Sequence, residues 1–197
     1  MNWEHDGTVH EKCVVIYRVK EEWGELSNMS NDFPLTVAGI SVGSSEAPYQ
    51  AMRFPHQPEW QKEVLDAGHA MAAKLKSKKE KRRDTGSRPD WNAVNLDVMR
   101  WVMRVKLAQH FKTIGRLLRA TRDKAVVELS KKDRFWGAVE GDDGVLRGEN
   151  HLGRLLMELR AEVLAKPEAE LLRVEPPTIP DFMLLGKPVG VVEGRKG

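Results

Sequence analysis

The sequence predicts an α+β fold, mainly α-helical, built as a single domain with a small β-sheet. Three observations carry this. Apolar residues recur at helical spacing over most of the chain, as in Val94, Val98, Trp101, Val102 and Val105. A few short β-branched runs, Cys13-Val14-Val15-Ile16-Tyr17 and Ala125-Val126-Val127-Glu128-Leu129, read as strands. The length of 197 residues fits one ordinary domain with its own core.

Composition sets bounds on function. Lys and Arg number 32 against 29 Asp and Glu, a net charge of +3 that permits an anionic partner without demanding one. A single cysteine, Cys13, excludes an internal disulfide framework and a paired-cysteine zinc site, and points to a reducing, cytoplasmic setting. No apolar run is long enough to span a membrane. The first residues are too polar for a secretory signal.

The elements follow in order. Residues 1–12 are polar and expected to be loose, 13–166 form the domain, and 167–197 form a Pro-rich C-terminal tail. After the strand at 13–17, residues 27–34 are rich in Ser, Asn, Asp and Pro and read as a loop. Residues 35–42 read as two short strands turning near Gly39. Ser45 is a plausible N-cap for a helix whose first turn holds Glu46. Residues 59–83 are helical by pattern, with Trp60, Val64, Ala67, Met71 and Leu75 on one face, and seven of the ten residues from 74 to 83 are basic. Residues 93–110 and 111–120 are predicted helices. A Gly- and Asp-rich loop at 137–148 precedes a helix over 150–165, with Asn150 able to cap it. The tail's apolar residues, Phe182 to Leu185, dock either on the body or on a partner.

Several constellations could carry chemistry. Glu46, Gln50 and Arg53, spaced by 4 and 3, fall on one helix face. They either grip hydroxyls and a phosphate or form a surface network, and spacing does not decide between them. Trp91 sits in a polar loop beside Asp90, and Trp136 precedes the flexible loop; each is a stacking face for a planar ligand or a core residue. Gly148-Glu149-Asn150-His151-Leu152-Gly153 offers a close backbone approach and a helix start that would attract an anion. Lys74, on an apolar helix face, is either a nucleophile of lowered pKa or a solvated member of the basic run. The histidines show no metal-ligand spacing, and no nucleophile elbow is present. No cofactor and no metal are expected.

Taken in order, these segments resemble the YbiA-like N-glycosidases, the NADAR family. The matching stretches are Gly24-Glu25-Leu26-Ser27-Asn28-Met29, Ser44-Ser45-Glu46-Ala47-Pro48-Tyr49-Gln50-Ala51-Met52-Arg53-Phe54, Ala73-Lys74 and Arg88-Pro89-Asp90-Trp91. Met99, Lys106, Thr121-Arg122-Asp123 and Glu128-Leu129-Ser130 follow. Phe135-Trp136-Gly137 and the run from Gly148 to Arg160 complete the series over about residues 13–163. Three positions depart from it: Met29 replaces an aromatic, Arg53 stands where Lys is common, and Pro48 interrupts the second segment. Arg53 keeps the charge but cannot act as a neutral amine.

The resemblance implies hydrolysis of an N-glycosidic bond between a phosphorylated ribose, or ADP-ribose, and a base-like nitrogen. The substrate it implies is a small-molecule ribosylated nucleobase, such as a riboflavin-pathway ribosyl-aminopyrimidine phosphate, or ADP-ribosylated guanine in nucleic acid. Glu46, Lys74, Trp91 and Trp136 are then the expected catalytic residues. Asn28, Gln50, Arg53, Asp90, Gly148, Asn150 and Gly153 are the expected substrate-binding ones. The competing expectation is a non-catalytic nucleotide- or nucleic-acid-binding module using the basic run and the tryptophans. A third is a protein-interaction role for the tail.

Overall fold

The structure, a computed structural model, describes residues 8–9, 12–79 and 86–194. Expectations for most of the N-terminal segment and for the far end of the basic run (Lys81, Arg82, Arg83) lie outside the described residues.

In chain order the elements are β1 (Thr8–Val9), β2 (Cys13–Ile16), β3 (Leu35–Val37), β4 (Ile40–Val42), α1 (Glu46–Ala51), α2 (Pro58–Leu65) and α3 (Ala70–Ser77). Then come α4 (Trp91–Gln109), α5 (Phe111–Ala120), β5 (Ala125–Glu128), β6 (Val139–Glu140), β7 (Val145–Arg147), α6 (His151–Ala165) and α7 (Glu168–Leu171). The C-terminal stretch adds β8 (Arg173–Val174), β9 (Met183–Leu184), β10 (Lys187–Pro188) and β11 (Val192–Glu193). The mixture of helices and small sheets is the expected α+β class. No described helix is long and apolar enough to cross a membrane.

The contacts divide the chain into two compact units, one of Met1–Ser27 with Lys112–Glu170, the other of Asn28–Phe111 with Leu171–Gly197. In the first unit, β2 and β5 pair in parallel, from Cys13 opposite Ala125 to Ile16 opposite Glu128. β5 is buried along most of its length, while β2 alternates half-buried Cys13 and Val15 with buried Val14 and Ile16. Helix α6 packs on β5. Strands β1, β7 and β6 form an antiparallel sheet in that order. Val127, Ala138 and Leu146 make a core cluster against which Leu129 and Met157 pack. Arg160 crosses from α6 to donate to Thr121 Oγ1 and the Lys124 carbonyl, each at 2.8 Å, fixing the turn that enters β5.

In the second unit, β3 and β4 form a hairpin whose two turn residues, Ala38 and Gly39, have φ of 50° and 78°. Two positive φ values in a two-residue loop match the twist of the strands. The Gln109 amide extends this hairpin, donating to the Thr36 carbonyl at 2.7 Å and accepting from the Thr36 N–H at 2.8 Å. Helices α1, α2 and α3 pack on one another. Strands β8 and β11 pair and lie on α4. Of the two alternatives for the tail's apolar residues, the structure shows docking on the body: the Phe182 ring meets Trp101 of α4 edge-on at 4.9 Å.

Four local expectations are corrected. The helix expected over 59–83 breaks between α2 and α3, where Gly68 takes φ of 76° and His69 caps the new helix by accepting the Ala72 N–H at 3.2 Å. The break resets the helical phase, so Met71 and Leu75 are 51% and 62% exposed instead of facing the core. Trp91 is not in a loop; it is the first residue of α4 and is buried. Ser45 occupies the N-cap position of α1 but makes no side-chain cap bond. Asn150, at the N-cap of α6 with φ of 51°, makes no cap bond either, because its side chain is spent on β5.

Candidate active site

The loop from β4 into α1 runs through Gly43-Ser44-Ser45. A Cβ on Gly43 would lie 2.6 Å from the Gly68 carbonyl, so only glycine lets this loop close on the turn between α2 and α3. That closeness seats α1 so deeply that all six of its residues are buried. Burying Glu46 and Gln50 without partners would be costly, and the fold supplies partners.

Glu46 is 4% exposed. Its Oε2 accepts from Asn28 Nδ2 and its Oε1 from Gln50 Nε2, both at 2.7 Å. Gln50 is held in turn, since its Oε1 accepts the Ser77 hydroxyl at 2.7 Å and a weak 3.5 Å contact from Arg53 Nη1. The carboxylate is therefore fixed by two neutral donors, and the amide that orients it is fixed by α3. Lys74 enters through its backbone: its carbonyl also accepts the Ser77 hydroxyl, at 2.9 Å, while its own side chain is half-buried.

Around this carboxylate the polar accounting does not close. Asn28 Oδ1, Ser44 Oγ and Ser45 Oγ are buried and have no hydrogen-bond partner. A buried group left unpaired costs about 1–3 kcal/mol. Three such atoms lie on residues that directly precede Glu46 or are bonded to it.

Arg53 and Trp91 form the next layer. The guanidinium lies over the indole at 5.1 Å, and the Tyr49 ring meets the same indole at 5.2 Å. Burial pushes the Arg53 pKa below its usual value, opposed by Tyr49 and Glu46. Arg53 stays a cation. Asp90 is spent on Arg88: its two oxygens accept Arg88 Nε and Nη2, the latter at 2.8 Å. That pairing holds the Asp90 carboxyl below the usual carboxylate range.

Trp136, Gly148, Asn150 and Gly153 belong to the first unit and have their own geometry there. Trp136 is half-buried, with its ring edge-on to Phe135 at 5.1 Å. Asn150 Nδ2 donates to the Val126 carbonyl at 2.9 Å, and its Oδ1 accepts the Glu128 N–H at 3.1 Å. A Cβ on Gly148 would lie 2.3 Å from the Gly137 carbonyl, and one on Gly153 2.1 Å from the Val126 carbonyl. At Gly148 the close approach is of backbone to backbone; at Gly153 the Asn150 side-chain amide joins the Val126 carbonyl, at 2.5–2.6 Å.

Sequence reasoning thus groups Asn28, Glu46, Gln50, Arg53 and Trp91 as the second unit does. It missed Ser77, a buried hydroxyl inside a basic run, gave Ser44 no role and read Ser45 only as an N-cap. The signal at Ser77 was a small polar residue among lysines one turn after Ala73. Among the described residues, no group of three His, Cys, Asp or Glu side chains converges as a metal site would require.

With this geometry in hand, comparison with known proteins is specific. The NADAR domain matches residues 16–164. A riboflavin biosynthesis protein of Vibrio vulnificus is 36% identical over 157 residues, covering 79% of this chain and 40% of that protein. The N-glycosidase YbiA of Escherichia coli K12 is 30% identical over 155 residues, covering 79% of this chain and 91% of that protein. The solution NMR structure of Escherichia coli YbiA superposes with a TM-score of 0.63 at 30% identity, covering 83% of this chain and 94% of that one. The chain spans less than half of the Vibrio protein but most of YbiA. On the extent of these matches, the chain belongs to the NADAR family.

Proposed function

We propose that the chain is an N-glycosidase that hydrolyses the bond between C1 of a phosphorylated ribose and a base-like nitrogen. The observation that carries this reading is a fixed, buried carboxylate beside three unpaired hydroxyl and carbonyl oxygens. The names of the relatives, N-glycosidase and riboflavin biosynthesis protein, support the same reaction class and favour a ribosyl-aminopyrimidine phosphate as substrate.

Cleavage builds positive charge on C1 and the ring oxygen of the ribose. Glu46 supplies the opposing charge or takes a proton from the attacking water. Water forms the new C1–O bond while the C1–N pair leaves on the base, and the proton lost by the water ends on the departing nitrogen, through Glu46 or solvent. Asn28 Oδ1, Ser44 and Ser45 take the ribose hydroxyls. Arg53 takes phosphate or ribose oxygens, and Trp91 holds its guanidinium in place. Gln50 positions Glu46, and the Arg88–Asp90 pair fixes the start of α4 that carries Trp91. Lys74 is the alternative attacking group, forming a Schiff base with the opened sugar. Within the other unit, the half-buried Trp136 offers a stacking face for a planar base, and Asn150, Gly148 and Gly153 shape the backbone of that same unit. A single cysteine, Cys13, cannot form an internal disulfide, and we place the protein in a reducing, cytoplasmic setting.

The test gives purified protein a ribosyl-aminopyrimidine phosphate and, separately, ADP-ribosylated guanine DNA, with free base and free ADP-ribose measured. Release of base from the first supports the reading. Release only from the second moves the activity to ADP-ribose, in keeping with the basic residues beyond Lys74. Salt-dependent oligonucleotide binding with no release from either means a non-catalytic binding module. A borohydride-trapped adduct lost in Lys74→Ala identifies the covalent route; absence of an adduct under turnover identifies water.

A further inference from the structure

The family match ends at residue 164, yet residues 172–194 are built into the unit that holds Glu46. The contacts fall on two buried side chains next to the site. Gln61 donates through Nε2 to the Ala51 carbonyl at the end of α1, at 3.3 Å, and to the Met183 carbonyl at 2.8 Å. Its Oε1 accepts the Leu185 N–H at 2.6 Å. Arg88 Nη2 is shared between Asp90 and the Pro180 carbonyl, the latter at 2.7 Å. The Arg88 N–H donates to the Arg53 carbonyl at 2.8 Å, and the Trp91 N–H to the Arg88 carbonyl at 3.1 Å. One guanidinium and its own backbone therefore join the tail, Arg53 and Trp91.

The tail's path is also specified. Asp181 and Leu185 sit at φ of 48° and 49°, a region side chains with a Cβ rarely occupy. Such conformations persist where surrounding contacts over-determine them, and here the N–H of Leu185 is the group Gln61 accepts. Phe182, between these positions, is buried against Trp101.

We propose that residues 172–194 are a brace for the candidate site, with Arg88 and Gln61 as positioning residues. The tail holds the Arg88 fork, and the fork sets the pose of Arg53 and Trp91 while Glu46 is held independently by Asn28 and Gln50. The kinetic consequence rests on the glycosidase reading above; the structural consequence does not.

The test uses the full chain with Phe182→Ala, which removes the tail's ring anchor and touches no proposed substrate contact. Hydrogen–deuterium exchange is read at the amides of 88–94 and, as a control, at 125–128 in the other unit. The expected result is exchange about tenfold faster at 88–94 with 125–128 unchanged. Kinetically, KM rises about fivefold while kcat stays within about twofold, the signature of lost uniform binding. Phe182→Leu, which retains most of the volume, should restore both. Faster exchange confined to 172–189, or spread equally over 125–128, overturns the brace, as does a fall in kcat at unchanged KM. Should Phe182→Ala not fold, Arg88→Lys, which keeps the cation and loses the fork, must give the same exchange pattern or the inference fails. If the unaltered protein releases no base from either substrate, the glycosidase reading fails and the exchange result still decides the brace.

Discussion

Asn28 and Asn150 are both buried side-chain amides, and they spend their polar atoms differently. Asn150 bonds one carbonyl and one N–H of β5, so its donor and its acceptor are both paired with backbone. Asn28 gives its donor to Glu46 and leaves its acceptor unpaired, with the Ser44 and Ser45 hydroxyls unpaired as well. The first arrangement is complete without a ligand and serves the architecture. The second leaves three buried oxygens unpaired, and under the proposed function a ligand takes them. Most buried polar groups in native proteins are hydrogen-bonded, so the unpaired acceptor of Asn28 calls for an explanation that Asn150 does not need, and a ligand is the one proposed above.

The contrast can be broken at several points. Asn150→Ala should cost the most stability, about 3 kcal/mol, because it strands a buried carbonyl and a buried N–H together. For a chain of this length that is about 6–12 °C in Tm by calorimetry. A loss under about 1 kcal/mol would show that Asn150 is not architectural. Ser44→Ala and Ser45→Ala should do the reverse. Each should lower kcat/KM about tenfold or more while Tm holds or rises, since an unpaired buried hydroxyl is removed. A falling Tm with full activity would assign them to the fold.

Trp91→Leu should raise KM about fivefold through loss of the indole under Arg53, worth about 1 kcal/mol. Unchanged KM would detach Arg53 from substrate. The smallest effect concerns Cys13, which lies opposite Ala125 on the strand pair that Asn150 supports. Burial pushes its thiol up to about 11, with Lys124 acting against the shift. A raised thiol pKa means less thiolate, so alkylation by iodoacetamide at pH 8 should be about 100-fold slower than at an ordinary cysteine. Its rate should climb with pH up to about 11. Alkylation at the ordinary rate would mean that Cys13 is not shielded.

Much of the fold was legible because the signals were local. The β-branched runs at 13–17 and 125–129 gave two strands, and the 3.6-residue pattern at 93–110 gave the long helix. What was hidden depends on tertiary contact. A helical period continued across 66–69, and only the left-handed turn at Gly68 shows why Met71 and Leu75 face outward. The grouping of Glu46, Gln50 and Arg53 was readable from i, i+4 and i+3 spacing. That Asp90 serves Arg88, and that Ser77 locks Gln50, follows from bonds spanning turns that periodicity does not encode. The glycines at 148 and 153 read as ligand-approach positions, and the nearest groups to each are protein ones: backbone at Gly148, the Val126 carbonyl and the Asn150 amide at Gly153. Sequence marks where a Cβ is missing, not what occupies the space.

The most direct test of the site is the single-turnover release of free base by Glu46→Gln at saturating ribosyl-aminopyrimidine phosphate, with substrate affinity and Tm measured on the same preparation. The account expects release to fall at least about 10²-fold while the variant stays folded and still binds, because the charge opposing the ribose cation is gone. Release at the unaltered rate would contradict it and remove Glu46 from the chemistry.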